Sequence, residues 1–192
     1  MRVLALESRR AAEIAELVRR QGGEPFVAPS MREAPLEDHA ETFAAAERLL
    51  AGEFDMMIFL TGVGVRALAR LLSTRYPPER FPAALRGLTV VARGPKPVAA
   101  LRELGVPVAV KVPEPNTWRE IVAAVRGRPE RRIAVQEYGR PNPELIRALE
   151  EIGASVTPIR VYQWRLPEDT GPLRDADSGG PPVPHRRRRR GG

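Results

Sequence analysis

Short apolar runs rich in β-branched residues alternate along this chain with stretches whose apolar positions recur every three or four residues, the pattern of strands alternating with amphipathic helices. It predicts a strand at Arg2-Val3-Leu4-Ala5-Leu6, a helix with Ala11, Ile14, Leu17 and Val18 on one face, a stop at Gly22-Gly23 and a strand at Pro25-Phe26-Val27-Ala28. The same unit recurs as a strand at 88–92, a helix through Val98, Leu101 and Leu104, a stop at Gly105 and a strand at 108–110. A third copy has a strand at 133–135, a helix through Leu145, Leu149 and Ile152, a stop at Gly153 and a strand at 156–159. Glycine just past a helix supplies a left-handed cap, and Asn142-Pro143-Glu144 supplies an N-cap, a first-turn proline and an acid at the positive helix end. Between these units the periodicity predicts a helix around 41–50, a strand at 54–60 running into a helix at 65–72, and a helix at 117–125.

Strands and helices alternating through short links give a parallel sheet. The run Met56-Met57-Ile58-Phe59-Leu60 fits a strand covered on both faces. The predicted class is α/β, a parallel-sheet, three-layer α/β/α domain of the flavodoxin-like kind. With 192 residues, 43% of them hydrophobic, there is material for one full core or two small ones. No run approaches the roughly 18 apolar residues of a membrane span, and the N-terminus is a strand rather than a signal peptide. We expect no membrane partner and a cytoplasmic location. The absence of cysteine removes disulfide, thiolate-metal and thiol-nucleophile chemistry, and two histidines make a poor metal site.

The formal charge of +7 points to polyanions, but its distribution changes that picture. From Ala176 onward five arginines, Arg186 to Arg190, face one acid, Asp177, so the tail holds +4 of the +7. The body is close to balance, which argues against a nucleic-acid partner and leaves the tail as a flexible end or a tether for an acidic partner. The tail, rich in Pro, Gly and Arg, cannot form a core.

Ligands of parallel α/β folds lie at the C-terminal ends of strands. The loops there are 7–10, 61–66, 93–97, 114–117 and 138–142, and four of the five carry a cation. Gly62, Gly64, Gly94 and Gly139 permit close backbone approach, and free amides at helix starts favour anionic oxygen. The combination points to a small polyanion bearing carboxylates or phosphates. Thr61-Gly62-Val63-Gly64 lacks the full dinucleotide fingerprint, and no Gly-Lys-Ser/Thr element exists. A purely structural reading stands beside the functional one: Thr61 as an ordinary N-cap, the glycines as tight-packing positions, and Arg66 and Arg93 as solvated surface residues. Tyr162, at the end of a strand, is either a phenolic proton donor or a half-buried sheet-edge tyrosine. The residues by themselves do not name a reaction.

Taken in order, Leu60-Thr61-Gly62-Val63-Gly64-Val65-Arg66, Val91-Ala92-Arg93-Gly94-Pro95-Lys96, Gln136-Glu137-Tyr138-Gly139-Arg140-Pro141-Asn142, and Gly153-Ala154-Ser155-Val156 through Val161-Tyr162 resemble the uroporphyrinogen-III synthase family. The Gly-Val-Gly and Tyr-Gly-Arg-Pro forms are similar to a bacterial branch of it, the commoner members having Thr-Ser at Thr61-Gly62. The resemblance implies cyclisation of linear hydroxymethylbilane to uroporphyrinogen III, with inversion of ring D and loss of water, in tetrapyrrole and haem biosynthesis. It implies no metal and no cofactor, a small-molecule substrate and a monomer. It implies Tyr162 as the catalytic residue, protonating the leaving hydroxyl. It implies substrate binding by Arg9, Thr61, Gly62, Val63, Gly64, Arg93, Gly94, Lys96, Tyr138, Gly139 and Arg140. The alternative is a non-catalytic α/β anion-binding or regulatory module using the same amides.

The family pattern of two similar domains joined by two linkers divides the chain into 1–35, the start of a discontinuous first domain; 36–165, a complete second domain; and 166–192, a polar linker with a disordered basic tail. The return that would complete the first domain has no counterpart here. The tail composition is what GC-rich DNA yields in another reading frame, so we expect a truncated chain of reduced activity, with apolar faces of Leu4, Leu6 and Val27 partly uncovered.

Overall fold

The structure, a computed structural model, describes residues 1–6, 8, 10–34, 39–137, 139 and 141–177, apart from the side chains of Glu33 and Trp164. The chain divides into two compact units, one formed by Met1–Ala34 with the chain from Trp164 onward, the other by Pro35–Gln163. The first unit opens with β1 (Arg2–Ala5), α1 (Ala11–Arg20), β2 (Glu24–Val27) and β3 (Arg32–Ala34). β1 and β2 pair in parallel, from Arg2 opposite Glu24 to Ala5 opposite Val27. Ala5 and Ala15 are buried, whereas Leu4 and Leu6 are 49% and 48% exposed and Val27 is partly so.

The second unit carries α2 (Ala40–Leu50), β4 (Met56–Phe59), α3 (Gly62–Leu72), α4 (Arg80–Arg86), β5 (Thr89–Ala92), α5 (Pro95–Glu103), β6 (Val110–Lys111), α6 (Trp118–Val125), β7 (Arg132–Gln136), α7 (Pro143–Glu151) and β8 (Ser155–Ile159). Its five strands lie in the order β6-β5-β4-β7-β8, every neighbour parallel. The first strand of the unit is therefore central, and the chain leaves it first toward β5 and β6 and then toward β7 and β8. This is the α/β class expected, a parallel sheet between two helical layers.

β4 can be central because each of its four residues is buried. Met56 and Ile58, with Leu60 just beyond, pack with Val91, Ile121, Val125, Ile133, Val135, Leu145 and Leu149 in one cluster beneath α6 and α7. Met57 and Phe59 fall on the opposite face by strand alternation. Helices that contribute nothing to that cluster have their own buried residues: Val65, Leu68 and Leu72 on α3 and Ala100 and Leu101 on α5. The helix starts follow local chemistry. Thr117 and Glu120 close a capping box on α6, and the Asn142 side chain accepts from Leu145 N at 3.2 Å with Pro143 in the first turn of α7.

Several elements depart from the sequence reading, β3 (Arg32–Ala34) among them. α4 was not foreseen, because about two turns carrying Phe81, Pro82 and Leu85 inward are too short to show a period. The strand expected at 108–110 is reduced to Val110–Lys111 on the sheet edge, just past Pro107, which has no N–H for a ladder. A short strand, β9 (Gln163–Arg165), pairs with β3 just before the segment expected as linker, and that segment carries a helix, α8 (Gly171–Asp177). α8 buries none of its residues, so no apolar stripe announces it; Asp169 Oδ1 accepts from Gly171 N at 2.8 Å at its start. The arginine run lies outside the described residues.

At the N-terminal edge of the sheet, Asp55 ties β4 to β7. Its Oδ1 accepts from Arg132 Nη2 at 2.5 Å and its Oδ2 from Arg132 N at 2.9 Å and Arg131 N at 3.3 Å. The Arg132 guanidinium and the two amides hold the Asp55 carboxyl well below its ordinary value of 3.8. Beside it, the Arg128 guanidinium, with the Thr89 hydroxyl, lowers Glu130 to about 2. Depressed carboxylates stabilise the fold above their unfolded values and lose that contribution as pH falls through their folded ones. Asp55→Ala is therefore expected to lower the unfolding free energy by ~1–3 kcal/mol at pH 7. The gap to the unsubstituted chain should narrow as pH drops below about 3.8, read by urea denaturation across that range; a gap independent of pH would contradict this assignment.

Candidate functional site

The chain leaves β4 toward β5 and β6 on one side and returns to β7 and β8 on the other, and this change in strand order places a crevice at the C-terminal ends of the parallel pair β4 and β7. Thr61, just past β4, caps α3: its Oγ1 accepts from Gly64 N at 3.0 Å. Its own amide donates to Gln136 Oε1 at 3.3 Å. Gln136, the last residue of β7, is fully buried, and its Nε2 donates to the Glu137 carbonyl. The amides of Gly62 and Val63 have no acceptor among the described residues. They stand at the positive end of an 11-residue helix, where an anionic oxygen is favoured.

The two glycines of α3 also have packing reasons to be glycine. A Cβ at Gly62 would lie 2.5 Å from the Lys96 carbonyl oxygen, and one at Gly64 would coincide with the Gln136 carboxamide. The tight-packing reading is therefore a fact of the fold, and it draws the starts of α3 and α5 together. Arg66 is not a free surface cation: Nε and Nη2 donate to Glu103 Oε2 and Oε1 at 2.8 and 2.6 Å, clasping α3 to α5. That pairing raises Arg66 and lowers Glu103.

The loop after β5 supplies Arg93, Gly94 and Lys96. Arg93 Nε donates to the Leu60 carbonyl at 3.1 Å, tying the ends of β5 and β4 together. Gly94 takes φ 87 at the cap of α5, a conformation that suits glycine, and its α-carbon faces the Asn116 side chain. Lys96 is exposed and has no partner among the described residues. A cavity of about 420 Å³ opens beside this loop, lined by Gly94, Val98, Arg102, Lys111, Glu114 and Asn116 among others. Its size suits a small organic ligand.

Beyond β7 comes a group that sequence reasoning passed over. Glu137 is 2% exposed; its Oε1 accepts from Asn142 N at 3.0 Å and its Oε2 from Arg160 Nε at 3.0 Å. Gly139 bridges Gln163 in parallel. Tyr162, on the segment after β8, is 7% exposed. The expected residues thus follow the C-terminal ends of parallel strands: Thr61, Gly62, Val63 and Gly64 after β4, Arg93, Gly94 and Lys96 after β5, Gly139 after β7 and Tyr162 after β8. Arg9, Tyr138 and Arg140 lie outside the described residues. The sequence alone assigns no role to Gln136, Glu137 or Arg160; the signal available was a Gln-Glu pair directly continuing an apolar strand.

No helix among the described residues is long and apolar enough to cross a membrane. The family described as uroporphyrinogen-III synthase HemD matches residues 12–177. The chain is 31% identical over 169 residues to the uncharacterized protein YjjA of Bacillus subtilis, covering 84% of this chain and 60% of that one. A mutant uroporphyrinogen III synthase from Thermus thermophilus is similar in structure, with a TM-score of 0.73, 28% identity, and coverage of 87% of this chain and 64% of that one. The wild-type enzyme in another crystal form gives a TM-score of 0.64 at 28% identity, covering 87% of this chain and 63% of that one. The chain thus spans 60% to 64% of the length of these relatives.

Gly64→Ala is expected to cost ~1–3 kcal/mol by overpacking against Gln136. In a Gln136→Ala background the same change should cost much less, because the obstructing carboxamide is gone. Chemical denaturation of the four-member cycle reads the difference, and equal costs in both backgrounds would show that Gln136 is not the obstruction.

Proposed function

The chain belongs to the uroporphyrinogen-III synthase family, and from that premise we propose that it binds linear hydroxymethylbilane and closes it to uroporphyrinogen III, inverting ring D and releasing water. The observation that supports this reading best is the set of unpartnered amides at Gly62 and Val63 beside the buried Gln136–Glu137 corner, where the strand order changes direction between β4 and β7. A substrate bearing acetate and propionate arms on every ring needs several carboxylate sites without a metal. Helix-start amides together with Lys96 and Arg93 are donors of that kind, and Tyr138, Gly139 and Arg140 extend the set.

In this reading the Tyr162 phenol gives its proton to the hydroxymethyl oxygen as the carbon–oxygen bond breaks, so water departs rather than hydroxide. The cationic azafulvene left behind is stabilised by the surrounding dipoles while ring D attacks through the carbon that already carries its bridge to ring C; that bridge bond then breaks and re-forms at the free α-carbon of ring D, which loses its proton, so the ring ends inverted. Residues 1–35 belong to a discontinuous first domain and 36–165 to the second, and the protein acts as a cytoplasmic monomer. One observation favours a second reading, a binding module without turnover: Tyr162 is 7% exposed, so the phenol is shielded from solvent.

The two readings part in one assay. The purified chain is given fresh hydroxymethylbilane, and the products are oxidised and resolved into type I and type III uroporphyrin. Spontaneous closure yields type I. A synthase gives a type III excess that drops by about 10²-fold or more in Tyr162→Phe, the scale of a lost general acid. Type I alone, from folded chain, discards the synthase reading in favour of the binding module.

A further inference from the structure

Arg160 has no role in the site described above, yet its side chain is held as a binding group is held. It directly follows β8, two residues before Tyr162, and its backbone is fixed on both sides. Glu137 N donates to the Ile159 carbonyl at 2.9 Å, and the Thr42 hydroxyl donates to the Arg160 carbonyl at 2.6 Å. The guanidinium is anchored through Nε alone, at 3.0 Å from Glu137 Oε2. Glu137 is a carboxylate with a side chain 2% exposed, whereas the Arg160 side chain is 48% exposed.

A carboxylate so buried must be paired, and Glu137 turns its other oxygen to the Asn142 amide. It therefore serves as a fixed anchor with no acceptor facing outward. A guanidinium has five N–H donors in a rigid fork. One is used by Glu137; the four on the terminal nitrogens have no acceptor among the described residues. An arginine locked at Nε by a buried acid, with its terminal nitrogens open, is preorganised for two-point binding of a carboxylate. Pairing at Nε also fixes the plane of the fork, so less rotamer freedom is lost when an anion arrives.

We propose that Arg160 is a carboxylate-binding residue of the crevice and Glu137 its positioning residue. The proposal rests on the synthase-family reading for the carrier of those carboxylates, the acetate and propionate arms of a tetrapyrrole. Through the Thr61–Gln136–Glu137–Arg160 succession of contacts, the helix-start amides after β4 and the guanidinium after β8 become two ends of one anion-binding edge.

The test titrates uroporphyrin I, a stable fluorescent octacarboxylate, into the full chain by anisotropy at fixed ionic strength. Arg160→Gln is compared with Arg70→Gln, which removes the same charge from the exposed side of α3, and thermal melts confirm that each variant is folded. The expected result is affinity about tenfold weaker for Arg160→Gln and within twofold of the unsubstituted chain for Arg70→Gln. Glu137→Gln separates positioning from net charge: it makes the chain more positive, so general electrostatics would tighten binding, whereas loss of the anchor weakens it several-fold. Equal affinities for the two arginine variants, tighter binding by Glu137→Gln, or no uroporphyrin binding by the unsubstituted chain would each overturn the proposal. Failure of the isomer assay alongside Arg160-dependent binding would remove the synthase reading and leave the binding role of Arg160 in place.

Discussion

The second unit depends on a buried amide at the point where its strand order changes direction, between β4 and β7. Gln136 ends β7 with no exposure to solvent, so both ends of its carboxamide must find partners within the protein. It meets the Thr61 amide with its oxygen and the Glu137 carbonyl with its nitrogen. That arrangement leaves no room for a side chain at position 64. The glycine in turn brings the first turn of α3 close to the β7 corner, and Gly62 brings it close to α5. One buried polar group thereby sets where the free amides of the helix point.

The opposite end of the same strand pair is closed by Asp55 with Arg132. Two adjacent central strands are therefore fixed at both ends by polar groups, with an apolar stretch between them. The stabilising clamp sits at the N-terminal edge, and the C-terminal edge keeps the Gly62 and Val63 amides without acceptors among the described residues. Ion pairing at one edge allows the other to keep groups that a ligand satisfies.

Much of this was legible in the order of residues. The uninterrupted run at Met56–Phe59 announced a central strand, and Asn142-Pro143 announced the start of α7. What could not be read were pairings across distance. Gln136 meets Thr61 75 positions away, and Arg160 meets Glu137 23 positions away; nothing local distinguishes these residues from polar loop side chains. For Arg66 and Arg93 the sequence left a surface role and an anion-binding role side by side, because their acceptors, Glu103 and the Leu60 carbonyl, become neighbours only after folding. The short helices α4 and α8 escaped because seven residues each cannot display a helical period.

The central claim is that anions are received at the C-terminal ends of β4, β5, β7 and β8. Backbone-amide spectra of nitrogen-15-labelled chain with and without uroporphyrin I test it residue by residue. The account predicts perturbation at Gly62, Val63, Gly94 and Gly139, with Asp55 and Arg131 at the other sheet edge unmoved. Shifts confined to that other edge, or to residues beyond Asp177, would contradict it.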